Sequence, residues 1–139
     1  MSHVAKIEME IKDLDTLRTA CEQLGLQFMA GQHTYRWYGE SVGDYPIPEG
    51  FTTDDMGKCD HAIRVPGASY EVGVVQRNGK YLLLWDFYSA GGLERVLGKG
   101  AGRLKQAYSV ERVRREATLK GYHVQERKTE QGIRLVLTK

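Results

Sequence analysis

The 139-residue chain reads as an α+β domain: a mostly antiparallel sheet with two or three helices packed on one face. Three observations predict that class. Residues 70–88, YEVGVVQRNGKYLLLWDFY, are two β-rich runs joined by Asn78-Gly79, a dipeptide that supplies the positive φ angles of a type I′ hairpin turn. Residues 4–11 alternate with period two, whereas Leu14, Leu17, Cys21 and Leu24 recur at helical spacing. A basic helical stretch then precedes a last pair of β-like runs, so strands and helices segregate along the chain.

Taken in order, Val4 to Ile11 sets Val4, Lys6, Glu8 and Glu10 against Ala5, Ile7, Met9 and Ile11, the pattern of a strand with one wet face. Asp13 or Asp15 offers a helix N-cap, and Gly25 supplies the stop. Residues 26–38 predict one or two strands, the second carrying Tyr35, Trp37 and Tyr38. From about 39 to 60 the chain is rich in Gly, Pro, Asp and Glu, and Pro46 and Pro48 exclude regular helix, which predicts a long irregular loop. Loops of about 20 residues in a compact domain are uncommon and disproportionately functional or mobile. The run from His61 to Val65 is a short strand closed by Pro66 and Gly67.

A two-residue turn fixes the register of the central hairpin, with Arg77 opposite Lys80 and Gly73 opposite Leu84. Tyr70, Val72, Val74, Leu83, Trp85 and Phe87 then form a core face. The other face carries Val75, Leu82 and Leu84 and brings Glu71 opposite Asp86. After Gly91-Gly92, a helix beginning at Leu93 is expected to reach about Tyr108, although Gly98, Gly100 and Gly102 would each cost it about 1 kcal/mol relative to alanine. Such a segment is either kinked or closely packed. Ser109 reads as the N-cap of a further helix with Val110, Val113, Ala117 and Leu119 on its apolar side, ended by Gly121. Residues 123–127 and 133–138 close the chain as a hairpin around Glu130-Gln131-Gly132.

The length predicts one domain over residues 1–139, large enough to fold without a staple. Cys21 and Cys59 form no CxxC pair, the N-terminus carries no signal-like segment, and no apolar run spans a bilayer. These features predict a reduced, cytoplasmic protein with no membrane partner. Charge is uneven: residues 93–139 hold 12 Lys and Arg against 5 Asp and Glu, a net +7, leaving −5 for residues 1–92 and +2 overall. That asymmetry marks either a surface for an acidic partner or a self-neutralising fold.

Chemistry is sparse. Glu71 and Asp86, facing each other at a strand end, would repel unless they share a proton or cation, splay into solvent, or hold a base such as Arg64 between them. Cys59, Asp60 and His61 contain metal-ligand types, but their spacing matches no zinc motif, and Cys21 sits on an apolar stripe. The glycine-rich residues 97–103 lack the spacing of a phosphate loop and follow a helical run rather than a strand, though amides freed at a helix break bind anions. No nucleophile, base and orienting group assemble, so the sequence assigns no catalytic residue, no cofactor and no metal. The binding residues it offers are Lys99, Arg103, Lys105, Arg112, Arg114 and Arg115, with Tyr108 available to stack on a base.

Met1-Ser2-His3, the strand ending at Ile11, residues 13–17 (DLDTL) and Leu24-Gly25 resemble the start of a small protein encoded as a conserved open reading frame in red-algal chloroplasts and cyanobacteria. Residues 70–88 with Trp85-Asp86, Tyr108, Gly121-Tyr122, Val124 and residues 134–137 (RLVL) resemble its second half. The resemblance covers residues 1–28 and 70–137; Gly98, Gly100 and Gly102 depart from the helix formers expected there. The family is classed as of unknown function, with members in bacteria and phages, and its occurrence beside ring-forming ATPases implies an adaptor or accessory role.

The reading that follows is a non-enzymatic binding or accessory protein acting on a protein partner through the 39–60 loop and the basic helical region. Nucleic acid bound by the 95–120 helical region is the alternative, and an enzyme using the carboxylate pair or a metal is the second alternative.

Overall fold

In the computed structural model, which describes residues 2–39 and 45–139, the chain folds into an α+β unit with a five-stranded antiparallel sheet and a separate two-stranded one. The strands of the main sheet are β1 (Val4–Lys6), β2 (Gln27–Ala30), β3 (His61–Arg64), β4 (Glu71–Arg77) and β5 (Lys80–Asp86). They lie in the order β1-β5-β4-β3-β2. Asn78 and Gly79 adopt φ of 53° and 76°, and the ladder pairs Arg77 with Lys80 through to Gly73 with Leu84, the register expected of the two-residue turn.

The first strand is shorter than its alternation predicts. The Met9 amide donates to the Ile7 carbonyl at 2.8 Å, a tight turn that lifts residues 8–10 out of the ladder before Ile11 rejoins β5 opposite Tyr81. Nor is one face wet. Val4 is buried, lining a small gap with Trp37, Ile47 and Met56.

Helix α1 (Leu14–Gln23) begins at Asp13, whose carboxylate accepts from the Asp15 amide and the Thr16 hydroxyl, and stops before Gly25 at φ 75°. The second helical region differs from expectation. Helix α2 (Leu93–Leu97) ends at Gly98; a 3-10 turn over Lys99–Ala101 follows; and α3 runs unbroken from Gly102 to Leu119. Gly98, Gly100 and Ala101 all take positive φ, so the break falls among the glycines. Ser109 is an exposed mid-helix residue rather than an N-cap.

The two faces of the main sheet are covered differently. Val72, Val74, Leu83 and Trp85 pack with Leu17 and Cys21 of α1, Leu93 and Leu97 of α2, and Leu104 and Tyr108 of α3. On the opposite face, residues 31–39 and 45–59 fold back as a lid, where Tyr35, Cys59, Trp37 and Phe51 pack on Ala62, Val75 and Leu84. The second strand expected near Tyr35 is therefore an extended strap, bridged to the chain at Thr34 and Lys58. Within the irregular 39–60 segment there is a 3-10 turn over Thr53–Asp55; residues 40–44 lie outside the described residues.

The last two strands, β6 (His123–Thr129) and β7 (Gly132–Thr138), pair only with each other and pack against α3. None of their residues is buried. No helix among the described residues is long and apolar enough to cross a membrane.

Candidate functional site

The two carboxylates singled out in the sequence are both buried, Glu71 at 3% exposure and Asp86 at 0%. The lid explains why. Asp86 accepts the amides of His3 at 2.9 Å, Tyr88 at 3.1 Å and, from the lid, Tyr38 at 3.0 Å. Glu71 accepts the Arg36 amide at 2.9 Å and Gln32 Nε2 at 3.2 Å, both lid groups, and its second oxygen lies 3.3 Å from Arg64 Nε. The Glu71 amide donates to the Arg36 carbonyl at 2.9 Å. Each carboxylate thus meets donors of its own and pins one point of the strap, which satisfies the rule that buried polar groups find partners. Arg64 approaches Glu71 from β3, on the side of β4 away from β5, rather than sitting between the two carboxylates. Their geometry serves to hold the lid, not to present an acid and a base to a substrate.

Gly73 completes this attachment. A Cβ built there would overlap the Tyr35 ring, so the ring packs against bare backbone.

The Cys59 region is similarly engaged. Its thiol donates to the Gln32 carbonyl at 3.2 Å, Asp60 accepts the Gln76 amide at 2.7 Å, and His61 Nδ1 accepts the Gly31 amide at 2.9 Å. Burial pushes the thiols of Cys59 and Cys21 up to about 12, far from the range of a reactive thiolate.

The six basic residues fall into two groups, which meet at a groove of about 570 Å³ lined by both Arg103 and Arg114. Lys99, Arg103 and Lys105 gather at the break before α3, where Arg103 reaches back to the Val96 carbonyl at 3.1 Å. The anion position at that break is filled from within, because the Gly100 amide donates to Glu94 Oε2 at 3.2 Å. Arg112, Arg114 and Arg115 instead line a groove of about 660 Å³ with Lys12, Asp13, Glu116 and Leu119. Arg115 is held there by Thr19 Oγ1 at 2.7 Å, by Glu111 and by Asp13; Arg114 pairs with Glu111 and Glu126. Arg114, Arg115 and Lys120 therefore meet acidic side chains of the same fold. Tyr108 is 3% exposed and its hydroxyl accepts the Lys12 amide, so it is not available to stack on a base.

No protein-family model, curated protein or solved structure matches the chain. Part of the described surface is left unsatisfied within the fold.

Sequence reasoning missed two such features. Val113 and Leu119 were expected on the apolar side of a helix, yet they are 45% and 88% exposed, and Leu137 is 42% exposed. Alpha helix α3 is apolar at several angles because it packs on the sheet, on α1 and on the terminal hairpin at once, and helical periodicity cannot say which apolar position goes uncovered. The second feature is the opposition of Arg127 and Arg134 across β6 and β7. The observed two-residue turn at Glu130-Gln131, with Thr129 paired to Gly132, places them together, whereas the three-residue turn expected from the sequence, Glu130-Gln131-Gly132, gives a different register.

Proposed function

We propose that this chain is a non-enzymatic binding protein whose partner is another protein, docked where the C-terminal half of α3 meets β7. One observation carries the reading: Val113 and Leu119 of α3 and Leu137 of β7, three large apolar side chains, are left substantially exposed. Val113 and Leu137 line a groove of about 230 Å³ with Ala117 and Tyr122, and Lys120 and Glu116 stand at its margin. Leu119 lines the neighbouring groove, and Glu116 borders both. An apolar and aromatic centre with a charged margin is the composition of a protein interface core and rim. An adaptor role, which the family resemblance implies, belongs to the same class.

Two further points favour this reading over its alternatives. The described part of the 39–60 loop is occupied as a lid, with Met56 and Cys59 buried, so the docking surface is placed on the helix and terminal hairpin rather than on the loop. Glu71, Asp86 and the Cys59 thiol are engaged in holding that lid.

The test is affinity capture with the wild-type chain and with a Val113→Asp/Leu119→Asp variant. Both positions are exposed, so folding stability should stay within about 0.5 kcal/mol at each. A partner held by the wild type and lost from the variant is expected. A partner retained equally by both removes this surface from consideration.

A further inference from the structure

The solvent face of the β6–β7 ribbon carries a feature that protein docking at α3 does not use. Residues directly opposite in an antiparallel ladder share a face, and successive pairs alternate. Val124 with Leu137, Glu126 with Leu135, and Lys128 with Ile133 make one face. That face looks onto α3: Leu137 lies beside Val113, and Ile133 and Lys128 line a groove with Gln106 and Val110. The other face is formed by four opposed pairs, among them Gln125 with Val136 and Arg127 with Arg134, and contains no Asp or Glu. Nothing among the described residues pairs with either ribbon edge.

Two arginines placed directly opposite repel each other, and among the described residues nothing acidic answers them. Arg127 finds only the neutral Gln125 Oε1 at 3.4 Å. The face is also the wrong chemistry for a protein interface, since its four pairs hold no Tyr, Trp, Phe, Leu or Met. What it does hold is long hydrogen-bonding side chains, Gln125, Arg127 and Arg134, on a two-stranded support. A strand of seven residues spans about 23 Å at roughly 3.3 Å per residue. A two-stranded ribbon fits the major groove of B-form DNA, about 12 Å wide, where arginine pairs with guanine O6 and N7 and glutamine with adenine N6 and N7. The deep, narrow major groove of A-form RNA does not admit it.

We infer that the outer face of the β6–β7 ribbon binds duplex DNA in its major groove, with Arg127 and Arg134 as the principal contacts. The surface is distinct from the apolar groove on α3, so one chain can carry both partners. The opposed arginines are then resolved on binding, each guanidinium meeting base-edge acceptors or phosphate in place of its neighbour's charge.

The experiment is fluorescence anisotropy of a labelled mixed-sequence 20-base-pair DNA duplex, about two helical turns, titrated with the full chain from 50 to 200 mM salt. The wild type should bind at 50 mM salt and weaken steeply as salt rises. Arg127→Ala/Arg134→Ala should weaken binding at least about tenfold, the loss of one good bidentate contact, while its melting temperature does not fall. Should that variant prove unstable, Arg127→Lys/Arg134→Lys decides, because it keeps the charge and removes the fork: binding should persist, weakened. Dimethyl sulfate should find guanine N7 protected by the wild type and not by the alanine variant. The inference is overturned by an absence of binding at 50 mM salt, by equal affinity in the alanine variant, by unprotected guanine N7, or by competition from duplex RNA or polyglutamate as strong as from DNA.

Discussion

In the five-stranded sheet the polar strand-end residues Glu71 and Asp86 point under a lid, whereas in the β6–β7 ribbon Arg127 and Arg134 point to solvent. Both are like-charge pairs in the register a two-residue turn sets, and the fold treats them in opposite ways: the β4–β5 ladder stops at Gly73 with Leu84, short of Glu71 and Asp86, while β6–β7 pairs Arg127 directly with Arg134. Under the lid, each carboxylate meets its own donors, chiefly backbone amides, and each becomes a fixing point for the strap. On the ribbon no carboxylate comes near the arginines among the described residues. Burial makes the difference. A polar group withdrawn from water must be answered within the chain or it costs stability, while an exposed like-charge pair costs only about 0.2–1 kcal/mol and stays free for a ligand.

The sharpest way to break the first half of this comparison is Asp86→Ala. It removes the acceptor of three amides, including that of Tyr38 in the lid. With one or more of these left unanswered in the interior, the expected loss is about 3–5 kcal/mol in urea unfolding. The emission of Trp37 should shift to the red as the lid lifts. A loss under about 1 kcal/mol would mean that the lid is held by its apolar contacts alone. Gly73→Ala tests those contacts separately. Gly73 lies in an ordinary strand conformation, so the only obstacle to a methyl group is the Tyr35 ring. Overpacking of this kind costs about 1–3 kcal/mol, and the effect should vanish in a Tyr35→Ala background.

Much of the main sheet is legible in the sequence, because Asn78-Gly79 fixes a register and that register sorts Val72, Val74, Leu83 and Trp85 from Val75 and Leu84. The lid is not legible. Its attachment runs through backbone amides of residues 36 and 38, which have no side-chain signature, and through the absence of a side chain at Gly73. The sequence does bring Glu71 and Asp86 together, but the partners that turn them into anchors lie 35 and 48 residues away. The helical region misleads for a related reason: Ser109 is a good cap by type, yet the positive φ of Gly100 and Ala101 had already placed the start of α3. Counting charge finds the basic half, but not which cations Glu111, Asp13 and Glu126 engage.

Alkaline pH probes the helical face, where Cys21 is fully buried. Desolvation raises its thiol from an ordinary 9.0 to about 12. Above pH 9 the unfolded chain loses this proton while the folded chain keeps it, so stability falls as pH rises, through a window closing near 12. Linkage gives a loss of about 1.4 kcal/mol from this group by pH 10. Cys59, on the lid face, is raised to about the same value and acts in the same direction. Urea unfolding at pH 8 and pH 10 should therefore show a decline in the wild type that is shallower in Cys21→Ala. An equal decline in both would remove Cys21 as a source of the alkaline sensitivity.

The smallest effect tests the ribbon's half of the comparison. Arg134→Glu replaces a repelling neighbour of Arg127 with an attracting one on an exposed face. The expected result is a gain of about 0.5–1 kcal/mol, diminishing as salt screens the pair. Arg134→Gln removes the repulsion without adding attraction and should give about half that gain. A ribbon kept for structure alone would improve with either substitution and lose nothing. A ribbon kept for a polyanion would gain stability and lose affinity for DNA together, and that opposed response separates retention for binding from a tolerated defect. If neither variant is stabilised, Gln125 already relieves Arg127 within the chain. The two sheets would then treat their polar groups alike.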